Sequence, residues 1–303
     1  MNKDSFSGYH PLINMLYFTL VIGCGMVFAH PVCQGLSLLC AVSYSLCLNG
    51  KKALRFQLLY LLPLLVLTAL MNPAFSHQGV TILTYLPNGN PLTLESILYG
   101  ASAAVMLITV ILWFSCFNAV MSSDKFVYLF GRVAPALSLL LALTLRFVPR
   151  FRAQIRVISA AQRCVGRDVS NGGIFRRAKH GMKILSILIT WALENAIETA
   201  DSMRSRGYGL KGRTAFSIYR FGRRDAYALF FLLLCGGATL AGAVGGALKF
   251  VYYPMLGGAE PTLWQLLAFT VYFALCAMPL VVNMKEDVHW RTLQKTQALS
   301  LKT

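Results

Sequence analysis

Six long apolar stretches dominate the hydrophobic pattern of the chain. They lie at about 12–29, 33–49, 56–71, 96–121, 226–248 and 263–284. Each is long enough and apolar enough to cross the roughly 30 Å hydrocarbon core of a bilayer as an α-helix. Helices satisfy their own backbone hydrogen bonds in lipid. The pattern therefore predicts an all-α, polytopic membrane protein with about six transmembrane helices.

A different pattern fills the segment between the fourth and fifth stretches. Residues 150–167 contain few helix breakers, and four arginines lie on one face of the helix that they predict. A second helix is predicted at about 175–206, where apolar residues recur at three- and four-residue steps. That line comprises Leu185, Leu188, Ala192, Ala196, Thr199 and Met203. The segment is thus predicted to form a long pair of amphipathic helices, joined by a glycine-containing turn at 170–173.

These patterns divide the chain into three parts. Residues 1–121 hold the N-terminal transmembrane helices, 122–225 form a membrane-embedded and cytoplasmic region, and 226–303 hold the C-terminal transmembrane helices and a basic tail. Pro149 is expected to bend the path after a membrane-embedded helix at 134–148, because proline removes a backbone donor and crowds the preceding turn. The number of helices between 122 and 150 stays open at this point.

The distribution of charged residues predicts which ends of the helices face the cytoplasm. Only 13% of the residues are charged, against about a quarter in soluble domains, yet the net charge is +17. Seventeen of the 28 lysines and arginines lie between Arg146 and Arg224. In so apolar a chain, this favours cytoplasmic loops that obey the positive-inside rule over nucleic-acid binding. The connection 72–95 has no lysine or arginine and is predicted to face outward, so both termini are predicted to be cytoplasmic.

The residues argue against several kinds of chemistry. No charged residue or histidine lies well inside any predicted span, which disfavours an ion-coupled carrier. A self-contained channel or secondary carrier nevertheless remains the alternative. Neither a metal-ligand spacing nor a catalytic or phosphate-binding motif is present, so we expect no catalytic residues, no metal and no cofactor. A membrane enzyme would have to use acidic residues of the basic segment, whose spacing fits no recognisable reaction.

Small residues recur every four positions in the fifth span, at Ala238, Gly242 and Gly246. Small residues at this spacing allow another helix to approach closely. Two interpretations remain open: a helix crossing inside this protein, or a docking face for another membrane protein.

The order of residues over about 125–225 resembles the transmembrane scaffold, or T component, of energy-coupling factor transporters. The resemblance rests on Arg146-Phe147-Val148-Pro149, Ala161-Gln162 followed by a glycine and Asp168, Arg176-Arg177-Ala178, and Ala200 to Gly209 followed by Arg213-Thr214. Energy-coupling factor transporters are ABC-type importers of vitamins and transition-metal ions in prokaryotic cell membranes. The resemblance implies two cytoplasmic ABC ATPase subunits that bind ATP, and a membrane-embedded substrate-binding subunit that carries specificity.

The resemblance also implies where the ATPase subunits dock. In that family two Ala-Arg-Gly-like motifs end long coupling helices, and each inserts an arginine into a groove of one ATPase subunit. The second motif is present as Ser205-Arg206-Gly207, preceded by Arg204. The first reads Cys164-Val165-Gly166, so that either Arg163 or Arg167 takes the arginine's place or the contact is weaker. Arg146, Pro149 and Asp168 are implied to shape the bend of the helix pair.

Overall fold

The computed structural model describes residues 4–76, 78–85, 91–167, 173–208, 210, 219–258 and 262–300. Within these residues the helices in chain order are α1 (Pro11–Val27), α2 (Pro31–Asn49), α3 (Lys51–Phe75), α4 (Leu94–Val120), α5 (Ser123–Val133), α6 (Pro135–Cys164), α7 (Ile174–Ser205), α8 (Arg223–Val244) and α9 (Leu263–Ser300). The described residues also contain a short 3-10 helix at Phe6–Gly8 and two two-stranded antiparallel ribbons: β1 (Ile82–Tyr85) with β2 (Pro91–Thr93), and β3 (Phe250–Val251) with β4 (Gly257–Gly258). The chain forms two compact units, one from residues 1–122 with 219–303 and one from 123–218.

The first unit, here called the membrane unit, contains the predicted spans. Helices α2, α3, α4 and α8, together with Leu263–Trp290 of α9, are long and apolar enough to cross a membrane. Helix α1 is apolar but has only 17 residues. The prediction of an all-α polytopic membrane protein is thus confirmed. Five of the six predicted spans reach full length, and α1 is the shorter sixth.

The first two helices begin with the same local device. His10 and His30 are the N-cap residues, and a proline follows each of them. Proline suits the first helical position because its missing N–H would have no intrahelical partner there. Each histidine Nδ1 accepts a hydrogen bond from the backbone N–H two residues later, at 3.3 Å in both cases.

An aromatic cluster forms the centre of the membrane unit. Tyr17, Phe18, Tyr44 and Trp113 are fully buried, and they bring α1, α2 and α4 together. The Trp113 Nε1–H donates to Ser37 Oγ at 3.0 Å, and the Tyr17 hydroxyl donates to the Cys276 carbonyl at 3.1 Å. Buried polar groups that are paired in this way cost little and fix the packing.

The N-terminal segment, residues 4–10, is part of this core. Phe6 is fully buried against the aromatic cluster. The backbone N–H groups of Ser5 and Phe6 donate to Asn283 Oδ1 of α9, at 3.0 and 3.2 Å. Asp4 accepts hydrogen bonds from the Tyr44 hydroxyl and from the Asn283 amide. The segment is therefore attached to both α2 and α9.

One of the small residues of α8, Gly242, lies at an internal helix crossing. A Cβ added at Gly242 would lie 3.1 Å from the Ala268 Cβ of α9, so any side chain there requires Ala268 to move. Ala238 is partly buried. Gly246, with φ +78°, lies beyond the end of α8 at Val244. The prediction that Gly246 belongs to this helix face is wrong, because the chain has already left the right-handed helix there.

The second unit, here called the helix-pair unit, contains α5, α6 and α7. The predicted second helix is confirmed, since α7 covers Ile174–Ser205. The predicted first helix is only the second half of α6, which runs without interruption through Pro149. The helices expected at 134–148 and from 150 are thus one helix, and the bend expected at Pro149 stays a prediction. A proline removes one donor of the helix ladder, and the turns on both sides continue α6 past it.

Replacing Gly242 by leucine tests the internal crossing. The larger side chain must displace Ala268, and overpacking of this kind costs about 1–3 kcal/mol. Gly237→Leu is the matched control, because Gly237 lies in the same helix with no neighbour within 4 Å of an added Cβ. We expect the thermal midpoint in detergent to fall for Gly242→Leu and to change little for Gly237→Leu. Equal midpoints would contradict the close approach of α8 and α9.

Candidate functional site: the ends of two basic helices

The two long helices of the helix-pair unit pack through aromatic side chains. The ring of Phe151 on α6 meets the ring of Trp191 on α7 edge to face, with centroids 5.8 Å apart. Phe147 stacks on Phe151 one turn earlier, at 5.9 Å. The guanidinium of Arg150 lies 5.5 Å from the centre of the Trp191 ring. These contacts hold α6 and α7 together near the middle of each helix.

The apolar line predicted for α7 is partly correct. Leu188, Ala192, Thr199 and Met203 are shielded to an intermediate degree. Leu185 is instead 54% exposed, and Ala196 is also exposed. Ile184 is buried and Trp191 contacts α6, although neither belongs to the predicted apolar line. Their seven-residue separation puts both on one helix face, which was the available signal.

Helix α7 ends in a turn that leaves one arginine at its end. Arg206 is the C-cap residue, and Gly207 follows in the left-handed conformation, with φ +71°. The Gly207 N–H donates to the Arg204 carbonyl at 2.9 Å, and the Tyr208 N–H donates to the Met203 carbonyl at 3.0 Å. This pair of bonds is the Schellman motif, which satisfies the last carbonyls of a helix.

Helix α6 ends in the same way. Val165 is the C-cap residue, and Gly166 follows with φ +74°. The Gly166 N–H donates to the Arg163 carbonyl and the Arg167 N–H donates to the Gln162 carbonyl, both at 2.9 Å. Val165 and Arg206 therefore occupy equivalent positions in two copies of one turn. Val165 stands where the resemblance implies an arginine. The side chain therefore differs from that motif, whereas the backbone turn is the same as at Arg206.

Both helix ends are exposed and cationic. Arg163 and Arg167 lie exposed at the α6 end, and Arg204, Ser205 and Arg206 lie exposed at the α7 end. Ser205 Oγ donates to the Ser202 carbonyl at 2.9 Å. Cations at a helix C-terminus are favoured by the helix dipole. The chemistry available at each end is hydrogen bonding and charge pairing with carboxylates or carbonyls of another molecule.

Two of the three residues expected to shape the bend lie away from these ends. Arg146 and Pro149 are exposed, and both lie near the middle of the length of α6. Arg146 precedes Val165 by 19 residues, which corresponds to about 28 Å along a helix. Asp168 lies outside the described residues. The structure thus brings together the candidate docking residues at each end and leaves Arg146 and Pro149 apart from them.

A second apolar stripe runs along the outside of α7. Met182, Leu185, Ile189, Leu193 and Ile197 are each between 51% and 65% exposed. Their three- and four-residue spacing places them on one face of the helix. An exposed apolar stripe of this length is typical of a surface that meets a partner protein or lipid.

Alanine at the two left-handed glycines tests the shared turn. An L-residue in this conformation costs about 1–2 kcal/mol, so Gly166→Ala and Gly207→Ala should each speed amide hydrogen exchange in the last turn roughly tenfold. Gly181→Ala is the control of opposite sign. It lies inside α7 with no neighbour within 4 Å of an added Cβ and should stabilise α7 by about 0.5–1 kcal/mol. Slower exchange at the helix ends in the first two variants would contradict the assigned turn.

Comparisons with known proteins agree with this architecture. A family model described as CbiQ, "Cobalt transport protein", matches residues 12–216, more than half of the chain. Proteins named "Energy-coupling factor transporter transmembrane protein EcfT" are among the relatives. The protein of Lactobacillus helveticus is 38% identical over 102 residues, which is 33% of this chain and 37% of that protein.

Two further relatives carry the same name. The protein of Bacillus selenitireducens is 35% identical over 106 residues, covering 35% of this chain and 40% of its own length. The protein of Acidaminococcus fermentans is 36% identical over 110 residues, covering 34% and 41%. The chain thus spans about two-fifths of the length of these curated relatives. The chain belongs to the CbiQ family of cobalt transport proteins, and its resemblance to the transmembrane component of energy-coupling factor transporters is confirmed.

Proposed function

We propose that the chain is the energy-coupling scaffold of an ABC-type importer. Its two helix ends bind two cytoplasmic ATPase subunits, and the helix pair transmits their conformational change to a membrane-embedded substrate-binding subunit. The observation that carries this proposal is the repeated turn, which presents Arg206 at one exposed helix end and Val165, between Arg163 and Arg167, at the other.

An arginine at a helix end is well suited to docking. Its guanidinium is planar and carries five N–H donors, so it can make several directed bonds to carboxylates or carbonyls in a pocket. Arginines that become buried in an interface are frequent hot spots, worth about 2 kcal/mol or more when truncated. Arg206 is exposed at the end of α7, which allows a pocket on another chain to enclose it.

The length of the helices supports the transmission of movement. The 30 residues of α6 and the 32 residues of α7 correspond to about 45 and 48 Å at 1.5 Å per residue. The contact between Phe151 and Trp191 joins the two helices. A displacement imposed at the helix ends is therefore expected to move the pair as a rigid body.

The remaining partners follow from the surfaces and charges. The exposed apolar stripe on α7 fits an apolar surface of a substrate-binding membrane subunit. We assign substrate specificity, for a vitamin or a transition-metal ion, to that subunit. ATP is bound and hydrolysed by the ATPase subunits, and this chain itself needs no cofactor. With the basic helix-pair unit in the cytoplasm of a prokaryotic cell, both termini are cytoplasmic.

Arg206→Ala tests docking at the α7 end. Loss of a hot spot worth about 2 kcal/mol corresponds to roughly thirtyfold weaker binding of the ATPase subunits, with a matching loss of uptake. Arg206→Lys should recover only part of the affinity, because lysine keeps the charge without the fork. Lys183→Ala, which removes an exposed cation far from the helix end, is the control. Unchanged ATPase co-purification in Arg206→Ala, or uptake by this chain alone in liposomes, would contradict the proposal.

Val165→Arg tests the α6 end. Because Val165 and Arg206 occupy equivalent backbone positions, an arginine at 165 should add directed hydrogen bonds and tighten ATPase binding severalfold. The double variant Arg163→Ala and Arg167→Ala should weaken binding in the parent chain and much less in a chain that carries Val165→Arg. Weaker binding of the Val165→Arg chain, measured as co-purified ATPase, would show that the α6 end docks through apolar contact instead.

A further inference from the structure

A groove runs between α8 and α9 on the outer surface of the membrane unit. Its volume is about 740 Å³, and apolar side chains form most of its wall. Phe231, Phe273 and Val281 line it and are 36–46% exposed, so they face the surroundings of the helices. In a chain that spans a bilayer, the surroundings of these helices are lipid tails or another protein.

The groove has a cationic end. Arg224, in the first turn of α8, and Lys285, on α9, line one end of it. A smaller cavity of about 440 Å³ shares both residues and continues to Glu286 and His289. The wall thus changes from apolar to charged along the helices, as the environment does from the hydrocarbon core to the headgroup region.

The length of the apolar part matches one leaflet. Phe273 and Lys285 are 12 residues apart on α9, which corresponds to about 18 Å along the helix. Half of the hydrocarbon core of a bilayer is about 15 Å thick. An acyl chain of a lipid whose headgroup lies at Lys285 would therefore reach roughly the middle of the membrane.

Arg224 is held in position at the mouth of the groove. Its Nη2 donates to the Ser5 carbonyl at 3.4 Å and to Glu286 Oε2 at 3.3 Å, and its guanidinium lies 4.2 Å from the centre of the Tyr9 ring. The side chain is still 54% exposed. A guanidinium has five N–H donors, so an incoming anion can still be bound.

The acidic groups nearby offset only part of the positive charge of the side chains that line the groove. Both carboxylate oxygens of Asp225 accept backbone hydrogen bonds, from His10 at 3.0 Å and from Gly222 at 2.9 Å. Glu286 offsets one of the two cations that line the groove, Arg224 and Lys285. Among the side chains that line the two cavities, one positive charge is therefore left in excess.

We propose that this groove binds an anionic glycerophospholipid. One acyl chain lies between α8 and α9, and the phosphate is bound by Arg224 and Lys285. Charge complementarity selects an anionic over a zwitterionic headgroup, since each cation near the membrane surface attracts anionic lipid. Because Arg224 also contacts Ser5, the bound lipid connects the N-terminal segment to α8 and α9 and stabilises the membrane unit.

The test compares lipid retention by the full chain. The protein is exchanged into detergent with phosphatidylglycerol or with phosphatidylcholine, and the retained lipid is measured by native mass spectrometry. The wild-type chain should retain phosphatidylglycerol in preference to phosphatidylcholine. Lys285→Gln should lower this preference about fivefold, and Arg224→Gln combined with Lys285→Gln should lower it further. Lys52→Gln, which removes an exposed cation of α3 away from the groove, should leave the preference unchanged.

A second variant separates the groove from the charges. Ala274→Trp places a bulky apolar side chain in the groove, touches neither cation, and should reduce the retention of both lipids. Equal retention of the two lipids by the wild-type chain, or an unchanged preference in both charge variants, would overturn the proposal. So would unchanged retention in Ala274→Trp, since the lipid would then lie elsewhere. If glycerol phosphate, at the same concentration as phosphatidylglycerol, displaced the bound lipid, the groove would be a site for free phosphate. If the lipid were lost on assembly with partner subunits, the groove would be a protein interface. Either result would also overturn the proposal.

Discussion

The left-handed glycine at the end of each long helix is the constraint on which the candidate site depends. In this conformation Gly166 and Gly207 allow the chain to turn back, so that backbone N–H groups donate hydrogen bonds to carbonyls in the last turns of α6 and α7. The residue just before each glycine is consequently left at the extreme end of a rigid rod. Arg206 is placed there on α7 and Val165 on α6. The position of the side chain is thus set by the backbone, and the proposed docking would depend on which side chain stands there.

The membrane unit depends on a different constraint, which is that polar groups in lipid must be satisfied within the protein. The Trp113 and Tyr17 polar atoms are paired inside the aromatic cluster. The N-terminal segment closes one end of the helices through Asn283 and Asp4. Arg224 belongs to the same end through its contact with Ser5. Lipid bound in the groove between α8 and α9 would therefore act on a part of the unit where several helices already meet.

Local patterns in the sequence predicted much of this fold. The spans follow from runs of apolar residues, and the bounds of α7 follow from its periodicity and from Gly207. The errors occur where tertiary context outweighs a local preference. Pro149 separated two predicted helices, but one missing donor does not interrupt α6, which runs through it. Gly246 continued a four-residue repeat, although α8 ends at Val244. The contact of Phe151 with Trp191 and the burial of Phe6 join residues far apart in sequence, and no local pattern reports such contacts.

Photo-crosslinking from the two helix ends tests the central claim most directly. Cys164 and Ser205 are the last helical residues before Val165 and Arg206, and both are exposed. A photo-reactive amino acid at position 164 or 205 leaves Val165 and Arg206 in place. In cells that produce the ATPase subunits, we expect both positions to crosslink to those subunits, whereas position 183 should not. Crosslinks from 164 and 205 that stay within this chain, or that reach no ATPase subunit, would contradict the account.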